Sequence, residues 1–325
     1  MRFSLIIPIF KVEKFIRRCA LSIIGQKFTD FEAIFVDDAS PDASIEILQR
    51  VLDEHPEFKN YRILRHDSNK GLPAARNTGL AQAKGEYVVH IDSDDFIDVD
   101  MLFEYDKNIC KTGADILWCD FYLTEEISER LMRQPDYSTA TDALKAILGG
   151  RMKYNVWNKA IRRRLYYDNE IWFPEGHSMG EDMTVIKLFA YASTVAHVAR
   201  PLYHYVRLNV NAISLEYSPR NVADIKHNVN DISNFFRHDE RKEFTGFINY
   251  FKLSVKLPFL VNCNRQSYHL WHSTFTEANG FIVCNPYIGL NAKIIQLLAK
   301  NRFYLGLCLY NFLIYKLIYR LKFRH

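Results

Sequence analysis

Tyr87-Val88-Val89-His90-Ile91-Asp92-Ser93-Asp94-Asp95 decides how the chain is read. Its first five residues form a short apolar run, the pattern of a buried strand in a parallel sheet. The run ends in a burst of carboxylates. Crowding negative charge at one strand end is costly unless a cation or water compensates it. Mg²⁺ and Mn²⁺ take oxygen ligands and leave positions open for water and substrate phosphates. Open α/β sheets bind ligands at the carboxyl ends of their strands. The spacing therefore suits a metal held for a phosphorylated substrate. It also suits a solvated acidic turn before the helix that starts near Val99.

The first 120 residues alternate strand and helix patterns. Strands are expected at Phe3 to Pro8, Glu32 to Val36, Tyr61 to Leu64, the Asp92 strand, and Ile116 to Tyr122. Between them, Val12, Phe15, Ile16, Cys19, Ala20 and Ile23 recur at helical spacing. Ile45, Leu48 and Leu52 do the same after Pro41-Asp42, followed by helices over Leu72 to Ala83 and Met101 to Lys111. Such alternation implies right-handed βαβ units and a mainly parallel sheet flanked by helices. Two strands end in acids, at Asp37-Asp38 and Asp92 to Asp95, so both groups are expected at one crevice. Residues 123 to 218 are less regular, and from Pro219 the pattern is helical. The expected division is 1–218 and 219–325.

The chain has 325 residues, 48% hydrophobic and 25% charged, an ordinary globular composition. Its net charge of +4 is too small to indicate nucleic acid. The six cysteines form no CxxC pair, so a reduced cytoplasmic protein without a zinc site is expected. The N-terminus runs straight into a strand pattern, so no signal peptide is expected. From Lys293 onward there are Lys and Arg but no Asp or Glu. Phe303, Leu307, Tyr310, Ile314, Leu317 and Leu321 recur at helical spacing beside Lys316, Arg320, Lys322 and Arg324. A basic amphipathic helix of this kind either lies on an anionic membrane or packs on the domain with a solvated basic face. The uncharged run from Phe303 to Tyr315 falls short of the ~20 apolar residues that span a bilayer.

Other segments carry candidate chemistry. Asp37 to Asp42 ends a strand and opens a helix, where Ser40 or Asp42 can cap. A carboxylate there can also accept from a base or a ribose. Asn69 to Gly79 is a turn entering a helix, and it sets Lys70 and Arg76 beside the acids. Arg suits planar and phosphate partners, and such cations can equally offset nearby Asp charge. Glu181-Asp182 begins a helix after Gly176 to Gly180. Acids at that position complement the helix dipole, and one of them can serve as a general base. His204, set among aromatics, can be a satisfied core histidine or a metal ligand. No P-loop, dinucleotide fingerprint or nucleophile elbow is present.

In order and spacing these segments resemble the family 2 inverting glycosyltransferases of GT-A fold that build bacterial surface polysaccharides. Ser4 to Phe10 resembles the family's opening strand, and Ile34 to Asp42 its VDDGSxD segment. Asn69 to Gly79 resembles NxGxxxARNxG, and Gly85 to Asp95 resembles GEYxxxxDxDD. Trp157-Asn158-Lys159, Glu181-Asp182 and Tyr205-Val206-Arg207 follow, so the resemblance covers roughly residues 3 to 215. Phe10-Lys11 replaces the usual Tyr-Asn and Ala39 the usual Gly, and no QxxRW segment is present.

The resemblance implies a GT-A nucleotide-sugar-binding fold with a helical C-terminal region. It implies transfer of one sugar from a UDP-sugar to a hydroxyl of a glycan or lipid-linked glycan, at the inner face of the cytoplasmic membrane. Asp38 would bind the uracil, with Arg76 near the base and Asp92 at the ribose or the metal. Pro8, Phe10, Glu13 and Ser93 would complete the donor side. Asp94 would ligate Mg²⁺ or Mn²⁺, Asp182 would be the base, and Glu181, Trp157 and Lys159 would lie on the acceptor side. The rival expectations are a non-catalytic nucleotide-sugar or glycan-binding module on the same fold, and a sugar-nucleotide pyrophosphorylase. The second would need a Gly-rich phosphate loop, and Ile9 to Glu13 is not Gly-rich.

Overall fold

β1 (Phe3–Ile9) is buried along its whole length because it lies between two parallel neighbours. These are β2 (Phe31–Asp37) and β4 (Tyr87–His90). β3 (Tyr61–Arg65) extends the parallel run beyond β2. Parallel strands deliver their carboxyl ends to one edge, so Asp37-Asp38 and Asp92 to Asp95 share that edge. The computed structural model describes residues 1–177, 179, 181–208, 218–237, 239–260 and 265–313.

Among the described residues the sheet has nine strands in the order β3-β2-β1-β4-β8-β6-β9-β5, with β7 beside β6. Here β5 is Phe96–Ile97, β6 Ile116–Thr124, β7 Glu129–Met132, β8 Lys159–Arg162 and β9 Val195–Val206. The sheet is more mixed than the strand-helix alternation predicts. β8 inserts antiparallel between β4 and β6, and only the β6–β9 pair in this half is parallel. The four residues of β8 include Lys159 and Arg162, too short and too charged to register as a strand in sequence.

Helices α1 (Ile16–Ile24), α2 (Ser44–Glu54) and α3 (Leu72–Gln82) follow the first three strands. They are followed by α4 (Met101–Thr112), α5 (Ala140–Gly149), α6 (Arg163–Tyr167) and α7 (Thr184–Tyr191). α1 opens after a turn over Val12 to Phe15, and Gly113, in the left-handed region at φ 65°, closes α4. Phe3, Leu5, Ile7 and Ile9 face a core shared with α1, α2 and α4. Ile6 faces the other way, toward α3. A Cβ at Gly79 would stand 2.4 Å from Ile6 Cγ2, so glycine lets α3 seat directly on β1. A Cβ at Gly85 would meet the Ser4 amide at 2.4 Å, which fixes the entry to β4.

The chain divides into two compact units. The first comprises Met1–Ala143 and Tyr154–Glu216, and it holds the whole sheet. The second comprises Leu144–Lys153 and Tyr217–His325. Its helices are α8 (Pro219–Phe235), α9 (Ile248–Lys256), α10 (Arg265–Ser273), α11 (Leu290–Lys300) and α12 (Tyr304–Asn311). Asn285 Nδ2 donates to the Gly149 carbonyl at 3.0 Å, joining the 144–153 segment to these helices. Lys256 is fully buried here, and its ammonium donates to the Thr274 and Phe275 carbonyls over the Trp271 ring.

Candidate active site

The acidic turn after β4 alternates in its burial. Ser93 and Asp95 are buried, while Asp92 and Asp94 are partly exposed. Asp95 is tied down from β9: Tyr203 Oη donates to Oδ2 at 2.8 Å and the Val206 amide to Oδ1 at 2.7 Å. The Asp92 amide donates to the same Tyr203 hydroxyl at 3.1 Å. Asp95 is thus an anchor, and the partly exposed carboxylates are its neighbours. Burial pushes Asp92 up to about 6, with Arg76 opposing and Asp94 and Asp182 adding to the rise. Burial, with Asp94 and Asp92 adding to it, pushes Asp95 well up. Negative charge is in excess here, and its donors are hard oxygens. That set would suit Mg²⁺ or Mn²⁺, hard cations that bind through one or two carboxylates and leave positions for water and phosphate oxygens. Among the described residues, no three His, Cys, Asp or Glu side chains form a closed metal cage.

Asp38, at the end of β2, is 2% exposed. The Lys70 amide donates to its Oδ1 and the Gly71 amide to its Oδ2, both at 2.8 Å. Gly71 takes φ 89°, a conformation that glycine accepts without a Cβ clash. His66 Nδ1 lies 2.7 Å from Asp38 Oδ1, and its Nε2 lies 2.9 Å from Thr78 Oγ1. Asp38 therefore locks the turn that starts α3. The sequence around His66 carries no motif, and its one signal is its position directly after β3.

Beside this turn, the Lys11 amide donates to Ser40 Oγ at 2.8 Å and the Glu13 amide to Asp42 Oδ2 at 3.1 Å. Pro8 is buried in β1, and Phe10 is exposed at the rim. At the start of α2, Asp42 Oδ1 accepts from the Ser44 amide at 3.2 Å and from the Ser44 hydroxyl at 2.6 Å, while the N-cap position itself is Ala43. A cleft of about 480 Å³ opens on the Asp37 side, lined among others by Asp42, Arg50 and Arg65. It does not include Asp38, Arg76, Asp92, Asp94 or Asp182.

Arg76 is 1% exposed. Its Nη2 donates to Asp92 Oδ1 at 3.0 Å, and its Nη1 donates to Asp182 Oδ1. Phe173 lies under the guanidinium, 5.4 Å from the ring centre. Asn77 holds Phe173 by its backbone in both directions, at 2.9 and 3.0 Å. Asp182 sits in a short 3₁₀ turn, Glu181–Met183, that leads into α7. Its Oδ2 accepts from the Val156 amide at 3.1 Å. Asp182 and the carboxylate edge thus meet through one arginine. The Glu181 side chain lies outside the described residues.

Trp157 is 7% exposed and stacks between Tyr203 and Tyr205, with ring centres 4.4 and 5.3 Å away. Lys159 is 1% exposed. Its ammonium donates to the Asn155 carbonyl at 2.5 Å and to Asn158 Oδ1 at 2.9 Å. Both follow closely on Val156, whose amide holds Asp182. His204 stacks on Phe96 at 4.1 Å and its Nδ1 lies 2.8 Å from Glu129 Oε1.

The model of glycosyl transferase family 2 matches residues 4–178, more than half of the chain. The chain belongs to glycosyl transferase family 2. EpsJ of Bacillus subtilis (strain 168), an uncharacterized glycosyltransferase, is 31% identical over 227 residues, 66% of this chain and 64% of EpsJ. The poly(ribitol-phosphate) β-N-acetylglucosaminyltransferase TarS of Staphylococcus aureus (strain Mu50) is 29% identical over 210 residues, 63% of this chain and 35% of TarS. The chain thus spans less than two thirds of the length of these relatives. Residues 1–349 of S. aureus TarS, solved in complex with UDP-GlcNAc, superpose with a TM-score of 0.68 at 20% identity. That alignment covers 97% of this chain and 92% of the other, and shows a shared fold.

Two of the departures from the family pattern, Lys11 and Ala39, fall on left-handed residues. Lys11 has φ 56° and Ala39 φ 54°. Asn and Gly, the usual residues at these two places, tolerate that region better than Lys or Ala do.

Proposed function

We propose that this family 2 member is an inverting glycosyltransferase that moves one sugar from a UDP-sugar to a hydroxyl of an acceptor glycan in bacterial surface polysaccharide or lipopolysaccharide synthesis. One observation carries the reading: Asp182 and the Asp92-Asp94 edge are joined across a single arginine, so a base and an anion-compensating edge share one crevice. The relationship to TarS, whose solved complex contains UDP-GlcNAc, supports a UDP-sugar donor.

Asp182 is the base that takes the proton from the attacking hydroxyl. Its two oxygens are held by different partners, which fixes the plane of the carboxylate before the acceptor arrives. Asp94, with Asp92 beside it, would hold Mg²⁺ or Mn²⁺. Bound there, such an ion supplies positive charge against the diphosphate of the leaving nucleotide. A related fold, the mannosyltransferase PcManGT of Pyrobaculum calidifontis, was solved with GDP-Man and Mn²⁺; its TM-score is 0.57 at 16% identity. Asp38, Pro8, Phe10, Glu13 and Ser93 line the nucleotide side, with Asp38 acting through the turn it locks. Trp157 and Lys159 support the acceptor side from behind.

The test is incubation with a set of UDP-sugars, Mg²⁺ or Mn²⁺, and bacterial glycan acceptors, with UDP release and the product's anomeric configuration as readouts. Metal-stimulated release with inverted configuration is expected. UDP-sugar binding without turnover on any acceptor would instead favour a non-catalytic module.

Peripheral membrane association at the inner face of the cytoplasmic membrane belongs to the same reading. Leu305, Leu309, Phe312 and Leu313 are exposed at helical spacing on and after α12, while Leu307 packs inward. Tyr310 bonds Asn291 at 2.8 Å, and the expected apolar positions Ile314, Leu317 and Leu321 lie outside the described residues. Among the described residues, no helix is long and apolar enough to cross a membrane. Cosedimentation with anionic phosphatidylglycerol vesicles should fall in a Leu305→Glu, Leu309→Glu variant. Equal binding of both proteins would overturn the association.

A further inference from the structure

Burying an arginine to 1% exposure is costly unless its charge is compensated. Arg76 is compensated by Asp92 on one nitrogen and Asp182 on another, with the Phe173 ring against its face. Asp92 belongs to the turn after β4, and Asp182 to the turn before α7. The rigid planar fork therefore sets the position of each carboxylate relative to the other. The fork is itself fixed, because α3 rests on β1 through Gly79 and Asn77 clamps Phe173.

We infer that Arg76 is a positioning residue that acts through Asp182, and that it is not a contact to the nucleotide. This rests on Asp182 being the base. Arg76 Nη1 takes one lone pair of Oδ1 and the Val156 amide one of Oδ2. A carboxylate oxygen has a second lone pair, so Asp182 can still accept an acceptor hydroxyl in the plane these two donors define. A guanidinium with almost no exposed surface has little to offer a base or a ribose. Its bond to Asp92 links the geometry of the base to the donor edge.

The experiment is a double-mutant cycle combining Arg76→Gln and Arg76→Lys with Asp182→Asn. Transfer kinetics and calorimetric UDP affinity are read for each protein, after circular dichroism confirms the fold. Arg76→Gln should lower kcat for transfer about 100-fold, within the range of a misplaced base. The KM for the UDP-sugar should change less than about threefold, since the loss is confined to the reacting step. Arg76→Lys keeps the charge without the fork and should recover about tenfold of that loss. In the Asp182→Asn background either change should cost less than about threefold more, because residues acting as one unit are not additive. If Arg76→Gln does not fold, the Arg76→Lys arm reads the same coupling.

A full, additive loss on top of Asp182→Asn would overturn the inference, as would a defect confined to donor KM, which would place Arg76 on the nucleotide. Wild-type transfer by Asp182→Asn alone would instead remove the base assignment on which the inference rests.

Discussion

Tyr203 donates to Asp95 at 2.8 Å, and so binds the acidic turn to a strand more than 100 residues later in the chain. The same hydroxyl accepts from the Asp92 amide, so one oxygen holds both ends of the turn. Tyr203→Phe should therefore loosen the turn without opening a cavity. Losing a buried hydrogen bond of this type costs about 1–3 kcal/mol. Urea unfolding should show that loss, and turnover should fall with it. Unchanged stability and turnover would mean that the turn is held elsewhere.

Asp94 and Asp95 should separate cleanly by phenotype. Asp94, partly exposed on the donor edge, should matter for chemistry and little for folding. Asp94→Ala is expected to cost ~3 kcal/mol or more of transition-state stabilisation, and chelation with EDTA should reproduce the loss in the unmodified protein. Asp95→Ala should instead lower the melting temperature. Full turnover by Asp94→Ala, or by the chelated protein, would rule out a metal at this edge.

Ala39 carries the left-handed backbone that glycine accepts without strain. Relief of about 1–2 kcal/mol is partly offset by the greater freedom of glycine in the unfolded chain, about 0.5–1 kcal/mol. Ala39→Gly should raise the melting temperature by about 2–4 °C for a unit of this size. Calorimetry checks this, and a lower melting temperature would show that Ala39 is not strained.

Lys159 gives the fold a pH dependence of definite sign. Burial pushes its ammonium down to about 7, against the opposing pull of Asp182 and Cys119. An unfolded lysine titrates near 10.4. Between these values the unfolded chain binds a proton that the folded chain does not, so stability rises with pH across that window. Urea midpoints at pH 7, 8 and 9 should climb less steeply in Lys159→Met than in the unmodified protein. Parallel pH profiles would mean that Lys159 stays charged in the fold.

The parallel half of the sheet is legible in sequence because β1, β2 and β4 are buried on both faces and read as nearly continuous apolar runs, interrupted by Ser4 and Glu32. The other half is not. β8 is four residues long and bears two cations, and the pairing of β9 with β6 shifts register around Asp120. At the site, carboxylates at strand ends stand out by type and position. His66 and Tyr203 do not, because each is defined by a partner distant in sequence. The place of Arg76 shows the same limit: its neighbours in the chain set it near the acids, and only the packing of Phe173 and the return of Asp182 bury it between them.

The most direct measurement is transfer by Asp182→Asn at saturating UDP-sugar and acceptor, with UDP affinity measured on the same protein. Asparagine preserves the size and shape and keeps one oxygen to accept from either Val156 or Arg76, but it cannot accept the proton. The rate should fall by about 10²–10⁴-fold, while UDP affinity stays within about threefold. Transfer at the wild-type rate would contradict Asp182 as the base.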